Sequence, residues 1–139
     1  MATRTQGLYI NLPVADLART RAFYEGLGFE IDPRFSDDKA IAVVLGEQQV
    51  AMLLRREFFQ TFTDLPLGDP AVSPSSATAI FLDSREAVDT CAAEALAAGG
   101  TEPRPATDYG FMYQRAFHDP DGHGWGPFWM DPAGPPLQD

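Results

Sequence analysis

A chain of 139 residues, 45% hydrophobic and 22% charged, has the composition of one soluble globular domain, long enough to bury a core without staples. Its net charge of −10 excludes nonspecific binding to nucleic acid, and a single cysteine, Cys91, excludes an internal disulfide and a cysteine zinc site. No apolar run approaches the roughly 20 residues that cross a bilayer. Residues 1–7 lack the apolar stretch of a signal peptide, so no membrane partner and a cytoplasmic location are expected.

Leu8, Ile10, Leu12 and Val14 alternate with Tyr9, Asn11 and Pro13, which predicts a strand with one apolar face. Asp16 is suited to cap a helix running through Leu27, with Ala22, Phe23 and Leu27 as its buried stripe. Gly28 then stops it in the left-handed conformation. Residues 29–35 read as an extended edge strand despite Pro33. Residues 40–45 and 50–54 read as strands joined by a hairpin at 46–49. Residues 55–76 hold Phe58, Phe59 and Phe62 and then a Pro/Ser/Gly-rich run. This stretch is either a loop with a small amphipathic turn or a lid over a pocket.

The pattern then restarts. Thr78, Ile80 and Leu82 alternate with Ala79 and Phe81. Asp83 or Ser84 caps a second helix, along which Val88, Cys91, Ala92, Ala95 and Leu96 sit at helical spacing and which Gly99-Gly100 stops. Cys91 reads as a small core residue rather than a nucleophile. Residues 101–106 read as a short extended piece, and 111–118 and 124–130 as strands flanking the turn Asp119-Pro120-Asp121-Gly122-His123. Pro120 fits the second position of a type I turn and Gly122 the fourth. Gly110-Phe111-Met112-Tyr113 and Phe117 lack the basic residues of an RNA-binding strand and read as core and pocket aromatics. Residues 132–139 read as a loose tail.

Strand, helix and three strands thus occur twice. The motif Leu12-Pro13-Val14-Ala15-Asp16-Leu17, the run Phe23-Tyr24-Glu25-Gly26-Leu27-Gly28-Phe29, and Asp119-Pro120-Asp121-Gly122 before a final strand resemble the vicinal oxygen chelate superfamily. That superfamily holds glyoxalase I, the bleomycin resistance proteins and the extradiol dioxygenases. Residues 108–113 and 128–131 look most like its uncharacterised glyoxalase-like branch. The resemblance implies an α+β fold: two βαβββ modules forming curved mixed sheets around a cavity, with helices outside. Module 1 would occupy about 7–55, a connecting segment 56–76 and module 2 about 77–131, all in one domain. It also implies a homodimer, which covers open sheet edges.

Metal enzymes of the superfamily place His and Glu ligands at four positions facing the cavity. Carried over one by one, these are Tyr9, Met52, Ala77 and Gly126. Three of them have no hard donor, and a lone phenol does not hold a divalent ion. No metal site and no cofactor are therefore expected, with a divalent metal held by displaced ligands as the alternative. His118 and His123 flank the turn and could approach Asp119 or Asp121, but ligands in a solvated turn lack a supporting shell. Asp119-Pro120-Asp121-Gly122 also fails as a calcium loop, since glycine comes too early and Met130 stands where glutamate belongs. His118 is the one candidate general base.

By strand parity Tyr9, Asn11, Phe81, Gln114, Gly126 and Phe128 line the cavity, with Gln114 rather than Arg115 pointing inward, and the resemblance adds Met52. An apolar, aromatic lining with few polar groups suits a small organic ligand, aromatic or cationic. The expected function is a small-molecule binding protein or cofactor-free enzyme of the glyoxalase or bleomycin-resistance type. The alternatives are a metal-dependent lyase or dioxygenase and a ligand-free interaction module.

Overall fold

The computed structural model describes residues 2–136; the end of the predicted loose tail, 137–139, lies outside the described residues. The chain divides between Gly68 and Asp69 into two compact units. Each holds one mixed sheet and one main helix, in the expected α+β arrangement.

In the first unit, β1 (Leu8–Val14) runs parallel to β4 (Gln49–Arg55). β4 pairs antiparallel with β3 (Ala40–Gly46), and β3 with β2 (Glu30–Ile31), giving the order β1-β4-β3-β2. The helix α1 (Leu17–Gly26) begins where the Asp16 carboxylate accepts the backbone N–H of Arg19 at 3.1 Å. It ends before Gly28, whose φ of +87° is the left-handed stop expected of glycine. Its buried stripe is Thr20, Phe23, Tyr24 and Leu27; Ala22 is exposed, because the sheet meets the helix one position further round. The sheet face beneath α1 carries Val14, Ile31, Ile41, Val43, Ala51 and Leu53, all buried.

The extended strand expected over 29–35 is cut short at Ile31. Asp32 caps a single 3-10 turn, Pro33–Phe35, and proline at its first position favours the turn over further extension. Past β4 the chain folds into a short helix, α2 (Arg56–Phe59), and a 3-10 turn, Gln60–Phe62. The Gln60 amide donates to the carbonyls of Thr63 and Leu65, Arg56 donates to Gly68, and the Phe58 and Phe62 rings meet edge to face at 5.1 Å.

In the second unit, β5 (Ala77–Phe81) runs parallel to β9 (Gly124–Met130). β9 pairs antiparallel with β7 (Met112–Gln114) and β8 (Phe117–His118), and β7 pairs with β6 (Thr107–Asp108). Ser84, not Asp83, caps α3 (Arg85–Ala97), its hydroxyl accepting the N–H of Ala87. Val88, Ala92 and Ala95 are buried and Cys91 half-buried, whereas Leu96 faces solvent. The extended piece expected at 101–106 forms no strand beyond one bridge from Thr101 to His118. Pro103 and Pro105 have no N–H to donate there.

The single strand expected over 111–118 is divided at Arg115 and Ala116, although its register against β9 never shifts: Gln114 faces Phe128 and Phe117 faces Trp125. Arg115 donates its N–H to the carbonyl of Pro127 at 3.0 Å, and proline cannot return the bond. Past the break Phe117 and Trp125 are buried with their rings stacked at 6.4 Å. The turn before β9 closes with the Gly122 N–H on the Asp119 carbonyl at 2.9 Å. The Asp119 carboxylate accepts the N–H groups of Asp121 and His123, so a nearly buried acid is used to hold its own loop.

Candidate ligand site

On the first sheet the face away from α1 carries a row that crosses four strands. Tyr9 faces Val50, Val50 faces Val44, and Val44 faces Glu30. Asn11 faces Met52 one step along, and Met52 faces Ala42. Over this row opens a cleft of about 420 Å³, walled by the turn Asp32 to Phe35 at one end and by Gly46, Glu47 and Gln48 at the other. Tyr9 lines it; Asn11 and Met52 share its sheet face but do not line it.

The charges in this cleft are unequal. Arg34 binds Asp32 through two N–H groups, at 3.1 and 2.8 Å, and lies over the Phe35 ring at 5.4 Å. That guanidinium holds the Asp32 carboxyl below the usual carboxylate range and is itself pushed up by the pairing. Among the described residues Glu30 and Glu47 have no such cation. The cleft therefore offers an apolar floor, two aromatic rings and two carboxylates without a counter-ion.

On the second sheet Ala77 faces Gly124, Ala79 faces Gly126, and Phe81 faces Phe128. A second cleft, about 240 Å³, is lined by Ala77, Ala79, Gly124 and Gly126 together with Gln114, His118 and Arg104. The Phe81 and Phe128 rings stack at 5.1 Å, outside this lining. Gln114 stands on the same sheet face as Phe128, and the neighbouring Arg115 directs its guanidinium to Glu102 and Asp89. His118 stands beside Gly124 and Ala77: a Cβ on Gly124 would lie 3.8 Å from its Cδ2. His123 is buried in the turn instead.

The four positions expected from the resemblance to correspond to metal ligands fall two in each unit: Tyr9 and Met52 in the first, Ala77 and Gly126 in the second. A phenol, a thioether, a methyl group and a hydrogen atom do not fit a divalent ion. Among the described residues no group of three or more His, Cys, Asp or Glu side chains is placed to hold one. Burial pushes the Cys91 thiol up to about 11, so it stays protonated at neutral pH and is a poor nucleophile.

Sequence reasoning missed Glu30, Arg34, Phe35, Glu47 and Arg104 as lining residues. Treating 29–35 as one strand hid the first three. The Asp32-Pro33 pair, a cap followed by proline, was the available signal.

Two mixed sheets in βαβββ order, the second with its middle strand divided into β7 and β8, with clefts on the sheet faces, define the class. The profile of the glyoxalase/bleomycin resistance protein/dioxygenase superfamily matches residues 8–126, and the chain belongs to that superfamily. Among solved structures, hypothetical protein SA1046 from S. aureus is 27% identical with a TM-score of 0.78, the match covering 91% of this chain and 95% of that one. A glyoxalase-related enzyme from Fulvimarina pelagi is 25% identical with a TM-score of 0.76, covering 90% and 88%. TnmS3, an antibiotic binding protein from Streptomyces sp. CB03234, is 20% identical with a TM-score of 0.66, covering 94% and 100%; that likeness is one of fold. No curated protein sequence matches the chain. Among the described residues no helix is long and apolar enough to cross a membrane.

Proposed function

We propose that this chain is a small-molecule binding protein, or an enzyme acting without a cofactor, of the glyoxalase/bleomycin-resistance type, working without a bound metal as a homodimer. The observation that carries the reading is the cleft on the first sheet. Its floor of Ala42, Val44 and Val50 and its rings, Tyr9 and Phe35, accept a flat apolar body. Glu30 and Glu47 at its edges favour a positive charge on that body, and aromatic faces attract cations as well. An antibiotic-binding relative of the same fold supports a sequestering role.

The planar cation proflavine and the planar anion fluorescein test this by fluorescence titration. Proflavine is expected to saturate one site per chain, and fluorescein is not. The double variant Tyr9→Ala with Glu30→Gln is expected to weaken proflavine roughly tenfold, from the lost ring and the lost charge. Unchanged affinity in that variant sinks the reading. Elemental analysis of protein prepared without chelators is expected to show divalent metal well below one ion per chain. A full complement would restore the metalloenzyme alternative. Light scattering at micromolar concentration is expected to give the mass of a dimer.

A further inference from the structure

We propose that the cleft on the second sheet is a binding site for a small planar carboxylate, anchored by Arg104. The starting point is a charge imbalance: ten Lys and Arg against twenty Asp and Glu. In such a chain a guanidinium near the surface ordinarily finds an acid. Among the described residues Arg21, Arg34, Arg55, Arg85 and Arg115 do, Arg56 donates to the Gly68 carbonyl instead, and Arg4 in the exposed N-terminal stretch has no acid. Arg104 lines the cleft and has no ion-pair or hydrogen-bond partner among the described residues.

The arrangement nearby explains why it stays available. Glu102 is the acid nearest to it in sequence. Both Glu102 oxygens are taken by Arg115, at 2.8 and 3.0 Å. Among the described residues no Asp or Glu lines the cleft. The imidazole of His118 and the amide of Gln114, both in the lining, likewise have no side-chain partner among the described residues. Beside the acid-paired Arg115, one unpaired cation and two hydrogen-bonding groups thus line a cleft whose floor is Ala77, Ala79, Gly124 and Gly126.

That chemistry selects the ligand class. A guanidinium fork matches the two oxygens of a carboxylate. Arg115 also lines the cleft, but Glu102 and Asp89 hold its guanidinium, so on a molecule of net charge −10 the one uncompensated cation, Arg104, favours a monoanion over a phosphate dianion. The small apolar floor suits a flat body, and 240 Å³ is below the roughly 300–1,000 Å³ typical of drug-sized sites. This inference is independent of the reading of the first cleft.

Calorimetric titration with benzoate tests it, beside uncharged benzamide and inorganic phosphate. Benzoate is expected to bind one per chain, with benzamide and phosphate at least about tenfold weaker, as loss of a charge-assisted pair predicts. Arg104→Ala is expected to weaken benzoate by about tenfold or more, and His118→Asn to weaken it less. Arg4→Ala removes the same charge from the exposed N-terminal stretch and is expected to change nothing. Arg104 is exposed, so its variant should keep the parent's melting temperature. Absence of benzoate binding, equal weakening by Arg4→Ala, or tighter binding of phosphate would each overturn the proposal.

Discussion

Two glycines with nearly the same backbone angle do different jobs. Gly28 has φ of +87° with nothing near the place of a Cβ, so a side chain there would meet only backbone strain. Gly122 has φ of +94°, and its Cβ would lie 2.7 Å from the Cα and N of Ala71. Loop backbone therefore approaches the turn too closely for any side chain. Gly28→Ala is expected to cost about 1 kcal/mol. Gly122→Ala is expected to cost about 2–4 kcal/mol, since strain and collision with backbone add. Urea denaturation of both variants separates the two effects, and equal losses would show that Ala71 gives way freely.

At the scale of elements, α3 is held to its sheet in two ways. Small residues, Ala92 and Ala95, bring it close, and a polar network fastens its outer side. The Tyr113 hydroxyl and Arg115 both donate to Asp89, while Arg85 binds Asp108 through two N–H groups and lies over the Tyr113 and Trp129 rings. Tyr113 and Arg115 hold the Asp89 carboxyl below its usual range, and Arg85 does the same for Asp108. Their stabilising contribution is present above the unfolded carboxylate value of about 4 and is lost as pH falls through the lower folded values. The Tyr113 hydroxyl is shifted the other way by its bond to Asp89, so its contribution holds below about pH 10 and is lost above it. Arg115→Met strands the half-buried Glu102 and is expected to cost about 1–3 kcal/mol at neutral pH. The variant should also lose less than the parent on acidification, because Asp89 then titrates closer to its ordinary value. Denaturant midpoints measured from neutral pH down to pH 3 check both expectations.

For the molecule as a whole, the net charge of −10 should attract cations and repel anions over distances that salt can screen. Raising ionic strength from about 0.01 to 0.1 M shortens the screening length from about 30 to about 10 Å. Proflavine affinity is expected to fall across that range. Benzoate should respond in a different way, since weaker repulsion from the whole chain offsets weaker attraction to Arg104. A fall for benzoate as steep as that for proflavine would argue against compensation of that kind.

The repeated βαβββ order, the Asp16 cap, the Gly28 stop and the turn closed by Gly122 were all legible in the sequence. Each rests on local chemistry: side-chain alternation, a capping carboxylate, or a backbone angle that favours glycine. Tertiary structure decided what depends on a partner distant in sequence. Pro127 divides the strand at Arg115 and Ala116 from across the ladder. Glu30 and Glu47 come to flank one cleft only because four strands and a hairpin converge there. Glu102, the acid nearest in sequence to Arg104, is held instead by Arg115, thirteen residues along the chain. Spacing along the chain carries no record of such pairings, so the scaffold could be read from the sequence and the charges of its clefts could not.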